Sequence, residues 1–117
     1  MATLTPTLTL TSTDATSDVL SFSVTDSLTI AQKVVNLSRV TTSTSDLTLF
    51  ASSSYSRSYV YLKNTDGSIA MDVDFGSTAS FNIRPGEFAF FPWHGSQNIV
   101  VAADSGTPTL EYALWEA

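Results

Sequence analysis

The stretch FNIRPGEFAFFPWHG, residues 81–95, decides how the rest of the chain is read. Pro85-Gly86 suits the two central positions of a type II turn, because proline presets φ and glycine accepts φ > 0 without a steric penalty. Two strands meet there, and the pair is expected as the central hairpin of the protein. Beyond the turn, period-two alternation puts Phe88, Phe90 and Pro92 on one face and Glu87, Ala89, Phe91 and Trp93 on the other. A strand with apolar groups on both faces is normally covered on both, and the face of Phe91 and Trp93 is read as the outward one.

Working outward, the neighbouring segments are also short strands. Residues 79–83 lead into the Pro-Gly turn, and Gly76, Ser77 and Thr78 turn the chain before them. Residues 59–63 and 69–75 flank Asp66-Gly67, the best hairpin signal in the chain. There Ile69, Met71, Val73 and Phe75 share a core face while Asp72 and Asp74 look outward. Residues 46–51 alternate, and a hydroxyl-rich loop, 52–58, follows with Tyr55 and Arg57. Residues 28–40 are read as a strand rather than a helix, since the Ser/Thr run after Asn36 supplies no helix-stabilising tail. Downstream, 98–103 is continuously apolar, and 107–116 alternates Leu110, Tyr112 and Leu114 against Glu111 and Ala113, with Trp115 outward. About nine to ten short strands, with turn signals every eight to twelve residues, predict an all-β, single-domain antiparallel β-sandwich, jelly-roll-like.

At the N-terminus, TLTPTLTLTST (residues 3–13) alternates hydroxyls with Leu4, Leu8 and Leu10. Pro6 cannot donate to a ladder, so this is an edge strand or arm. Residues 1–18 are accordingly read as a Thr-rich arm and 19–117 as the sandwich domain, the latter beginning with a half-buried strand at 19–24. An alternating edge invites pairing with another chain, which makes Leu4, Leu8 and Leu10 candidate contacts.

Composition narrows the function classes. A chain of 117 residues is one domain by default and can hold a core without metal or disulfide; it contains no cysteine. The net charge of −6 comes from 11 acidic and five basic residues, and Lys33, Arg39, Arg57, Lys63 and Arg84 are scattered along the sequence. That pattern argues against nucleic acid, which needs a concentrated basic footprint. Seventeen threonines and 18 serines, nearly a third of the chain, favour strands and a hydroxylated surface. No apolar run approaches the roughly 20 residues that cross a bilayer, and residues 1–5 lack the basic start of a signal peptide, so no membrane role and no processing are expected.

The residues that could do chemistry are few. His94 is the single histidine, too few for the several imidazoles of a metal centre, so no metal or other cofactor is expected. Asp72 and Asp74 share a strand face, a spacing common on solvated faces, and Arg84 and Glu87 are placed to pair across the Pro-Gly turn. No catalytic set emerges, and a non-enzymatic protein is expected. What remains is an excess of aromatic side chains that alternation places outward: Tyr55, Tyr59, Tyr61, Phe91, Trp93 and Trp115. Of these, Tyr55, Phe91, Trp93 and Trp115 join the three leucines as the candidate interface. Such patches mark contacts with other proteins, or stacking platforms for sugar rings, so a carbohydrate-binding, lectin-like module is the alternative reading.

Three segments taken together, YVYLKNTDG (59–67), IRPGEFAFFPW (83–93) and TPTLEYALWEA (107–117), resemble small β-sandwich virion proteins of tailed bacteriophages, and most closely capsid decoration (cement) proteins. The resemblance spans about residues 46–117. It implies a jelly-roll-like protein made in the host cytoplasm and carried on the capsid exterior. The implied form is a homo-oligomer, a trimer, that binds the major capsid protein or other virion proteins and bridges capsomers against internal pressure. A tail, neck or fibre position belongs to the same class. The family has no catalytic motif to transfer.

Overall fold

The computed structural model describes residues 2–31 and 33–117, which form twelve strands and no helix. These are β1 (Ala2–Leu4), β2 (Thr7–Ser12), β3 (Leu20–Thr25), β4 (Leu28–Ile30), β5 (Val34–Thr41), β6 (Leu47–Phe50), β7 (Ser58–Asn64), β8 (Met71–Phe75), β9 (Thr78–Ile83), β10 (Phe88–Trp93), β11 (Ile99–Ala103) and β12 (Thr109–Glu116). All pairings are antiparallel. The chain divides into two compact units, Met1–Ala31 and Gln32–Ala117. The expected boundary at residue 18 therefore moves, because the 19–24 strand pairs with the N-terminal segment instead of entering the sandwich. The strand expected over 28–40 is likewise two strands, β4 and β5, one in each unit; Gln32 between them lies outside the described residues.

The first unit is a two-stranded ribbon. Leu8 stands opposite Val24, Leu10 opposite Phe22 and Ser12 opposite Leu20, while Thr7, Thr9 and Thr11 stand opposite Thr25, Ser23 and Ser21. One face is therefore apolar and the other hydroxylated, with side-chain bonds between Thr7 and Thr25 and between Thr9 and Ser23. Past Pro6, whose carbonyl accepts from the Asp26 N–H, β1 and β4 set Leu4 against Leu28.

The second unit is a β-sandwich of two four-stranded sheets, ordered β10-β7-β12-β5 and β6-β11-β8-β9. Its logic is that of one long hairpin, closed at Gly76-Ser77 between β8 and β9 and then rolled up. The rungs β8·β9 and β6·β11 lie in the second sheet, β7·β10 and β5·β12 in the first. This alternation of rungs between two sheets is a jelly roll. The core between the sheets is filled by Phe50, Val60, Leu62, Met71, Val73, Ile83, Trp93, Ile99, Val101, Leu110 and Leu114.

Rolling explains why two expected hairpins are absent. Asp66-Gly67 joins β7 to β8 and Pro85-Gly86 joins β9 to β10, and in both cases the strands lie in different sheets. The Pro-Gly turn itself is formed: Gly86 has φ +82° and the Glu87 N–H donates to the Arg84 carbonyl at 3.0 Å. Turn residues specify a local reversal, and that reversal here is a corner between layers. The two corners run side by side and are tied by Asn64, which is fully buried. Its side-chain amide donates to the Ile69 and Ile83 carbonyls at 2.8 and 3.0 Å, and its backbone exchanges bonds with Gly86 and Glu87. The adjacent Asp66 carboxyl is held below its ordinary range by the Ser68 and then the Ile69 backbone N–H groups.

Asn64→Leu should therefore cost about 2–4 kcal/mol, since it strands the buried Ile83 carbonyl and the partly buried Ile69 carbonyl, a buried one being worth roughly 1–3 kcal/mol when unsatisfied. Urea unfolding measures this; a loss under about 0.5 kcal/mol would mean that water replaces the amide.

Candidate functional site

Alternation places alternate residues of β7, β10 and β12 on the outside of the first sheet, but with the phase of β10 opposite to the expectation. Trp93 is 4 % exposed, packs against Phe50 at 6.4 Å and donates its indole N–H to the Gln97 carbonyl at 3.1 Å. Phe91 is half-buried against Phe75 and Phe81, with centroids 5.8 and 5.9 Å away and all three rings edge-on. Both are candidate contacts by sequence, but Trp93 belongs to the core and Phe91 packs against it. The misleading neighbour is Glu87, which shares their parity but lies in the corner before β10 begins. Its carboxylate accepts from the Arg84 backbone N–H at 2.7 Å. No Arg84–Glu87 ion pair forms; the described residues show one ion pair, Arg39–Glu111.

Tyr55 also turns inward, edge-on to Phe50 at 5.8 Å, with the Lys33 ammonium 5.7 Å above its ring. Trp115, Leu8 and Leu10 keep their outward places, Leu8 and Leu10 on the ribbon, and Leu4 is half-buried.

The outer face of the first sheet is where exposed aromatic surface collects. Phe88 is 61 % and Phe90 38 % exposed. Cross-strand register sets Phe90 beside Tyr61 and Pro92 beside Tyr59, and then Tyr59 beside Trp115 and Trp115 beside Val34. The Tyr59 and Phe90 rings are 6.4 Å apart and within 11° of parallel, and Trp115 leans on Phe90 at the same distance. A register shift between Tyr112 and Leu114 leaves an extra residue in β5, and there Leu37 is 63 % exposed. Sequence reasoning missed Phe88, Phe90, Val34 and Leu37. With apolar residues on both faces of β10, period two cannot say which face is the core, and a bulge erases the phase of β5 altogether.

Charge is segregated in the same way. Arg57 lies 5.3 Å over the Tyr59 ring and donates to its hydroxyl at 3.2 Å; Lys63 projects outward from β7; Arg39 pairs with Glu111 at 3.4 Å. Three cations far apart in sequence thus share the aromatic face with one carboxylate. Glu111 also accepts from the Tyr61 hydroxyl at 3.0 Å. Burial first, and then the bond to Glu111, push the Tyr61 phenol above its ordinary value. The four strands of the second sheet carry no Lys or Arg, and Asp72 and Asp74 lie on β8.

Asp72 accepts from the Asn82 amide at 2.7 Å, with Asp104 at 3.4 Å from the same nitrogen. Among the described residues no cluster of three or more His, Asp or Glu side chains is disposed to hold a metal ion. His94 is exposed at the end of β10. No helix is long and apolar enough to cross a membrane. The chain matches no protein-family model and no curated protein sequence.

Proposed function

We propose that the protein is a non-enzymatic docking protein of a tailed-phage particle, a capsid decoration protein that attaches through the outer face of its first sheet. The observation that carries this reading is the exposed aromatic and aliphatic surface of Phe88, Phe90, Val34 and Leu37, with half-buried Trp115 among them, on the outer face of one sheet. Monomeric proteins rarely leave large aromatic patches in water unless something covers them. Flanking cations on a chain of net charge −6 give that face a polarity of its own, suited to an acidic partner surface such as one on the major capsid protein. The three segments that carry the phage resemblance, 59–67, 83–93 and 107–117, supply β7, β10 and β12, three of the four strands of this sheet.

The near-parallel Tyr59 and Phe90 rings are the one observation favouring a sugar platform instead. Against it, the guanidinium of Arg57 already lies over Tyr59.

Co-sedimentation with phage heads lacking the protein tests the proposal. Phe90→Asp should weaken binding at least about 30-fold, the effect of a 2 kcal/mol hot spot, with the melting temperature nearly unchanged. Undiminished binding by this variant, or no binding by the parent chain, overturns the assignment. A glycan-array hit abolished by Phe90→Asp would replace it with the lectin-like reading.

A further inference from the structure

We propose that the N-terminal ribbon is a self-association element: the apolar face of β2 and β3 packs face to face on the same surface of a second copy of this chain. The ribbon is amphipathic to an unusual degree. Leu8, Leu10, Phe22 and Val24 are 40–49 % exposed and stand as two directly opposed pairs. The reverse face of the same strands carries only threonine and serine, zipped across the ribbon by hydroxyl bonds. Sheet geometry makes this separation complete, since opposed residues share a face and successive residues alternate.

Such a ribbon does not hold its shape alone. An isolated two-stranded hairpin is at best marginally stable in water, and stability begins with three or more strands around a shared apolar face. Two ribbons packed face to face supply four strands in two layers about 10 Å apart, with the hydroxyl faces outward. The surface suits itself. None of the opposed residues of β2 and β3 is charged, so two identical faces meet without burying a charge. Residues 2–31 contain three aspartates and no lysine or arginine, which gives an anionic lipid surface nothing to attract. Each face offers the apolar area of four side chains that are 40–49 % exposed, so a pair hides less than a standard interface does. That places the association in the weak, concentration-dependent class. It does not depend on the proposed attachment to a phage head, which uses the other unit.

The full chain tests this directly. Light scattering should show the 12.5 kDa monomer giving way to species of roughly twofold or higher mass as concentration rises. Phe22→Asp should abolish that rise, and Ser23→Asp, one residue along on the hydroxyl face, should leave it intact. Both tryptophans lie in the second unit, so their fluorescence melting curve reports that the sandwich remains folded in each variant. Because the chain has no cysteine, a short thiol cross-linker adds a second readout. Leu10→Cys should be captured as a covalent dimer and Thr9→Cys should not. A monomer at every concentration, an unchanged mass in Phe22→Asp, or equal capture of the two cysteine variants overturns the proposal.

Discussion

Gly95→Ala should lower stability by about 2–5 kcal/mol, which for a unit of this size is a fall in melting temperature of roughly 10 °C or more. Two separate costs combine at this position. Gly95 has φ +87°, where an L side chain is disfavoured by roughly 1–2 kcal/mol. A Cβ there would also stand 2.8 Å from both the carbonyl carbon and the oxygen of Ser56, which are backbone atoms and cannot rotate away. Relieving that overlap means moving a corner of the roll, at about 1–3 kcal/mol. The same corner is fixed nearby by Asn98, whose side-chain oxygen accepts from both the N–H and the hydroxyl of Ser52. Gly86→Ala is the control. Its φ of +82° is similar, but an added Cβ meets nothing within 4 Å, so only the conformational cost applies. Calorimetry on the two variants separates the costs, and equal melting temperatures would mean that the chain at Ser56 does not press on Gly95.

Trp93→Ala should cost about 3–5 kcal/mol, the range for emptying a large buried aromatic site. The loss has three sources: apolar burial, the 6.4 Å contact with Phe50, and the bond to the Gln97 carbonyl. A tryptophan placed outward for docking would give a few tenths of that. Trp93→Phe should recover most of the packing while leaving the Gln97 carbonyl without its donor. Denaturant unfolding distinguishes the cases: a midpoint unchanged in Trp93→Ala would return this residue to the surface.

These two positions lie in the stretch that decides the sequence reading, and they show what was legible in it. The strands on both sides of Pro85-Gly86, the turn between them and the all-β sandwich followed from local chemistry, because φ preferences and period two act within a few residues. Which sheet each strand joins did not follow. Asp66-Gly67 and Pro85-Gly86 bend the chain as expected, yet the strands they join do not pair: β7 lies between β10 and β12, and β8 between β9 and β11. The face of β10 was ambiguous because Phe88, Phe90, Phe91 and Trp93 are apolar on either side, and Glu87 pointed the wrong way from outside the strand. Arg39, Arg57 and Lys63 looked scattered because their convergence on one face is a product of sheet order. The apolar side of the ribbon was half visible: Leu8 and Leu10 declared it, but their partners Phe22 and Val24 were assigned to the sandwich.

The rolled hairpin also bears on how the chain reaches its native state during synthesis. The β8·β9 rung closes across two residues and can form as soon as it leaves the ribosome, whereas Thr41 must wait for Thr109. Each inner rung shortens the loop that the next must close, so the roll assembles from its middle outward with β5·β12 last. Until β12 emerges, β7 has an open edge where β12 will lie, between it and β5. The nascent protein therefore passes through a stage in which an apolar strand edge is unpaired, and its vulnerability to misassembly is concentrated in the interval before β12 is synthesised.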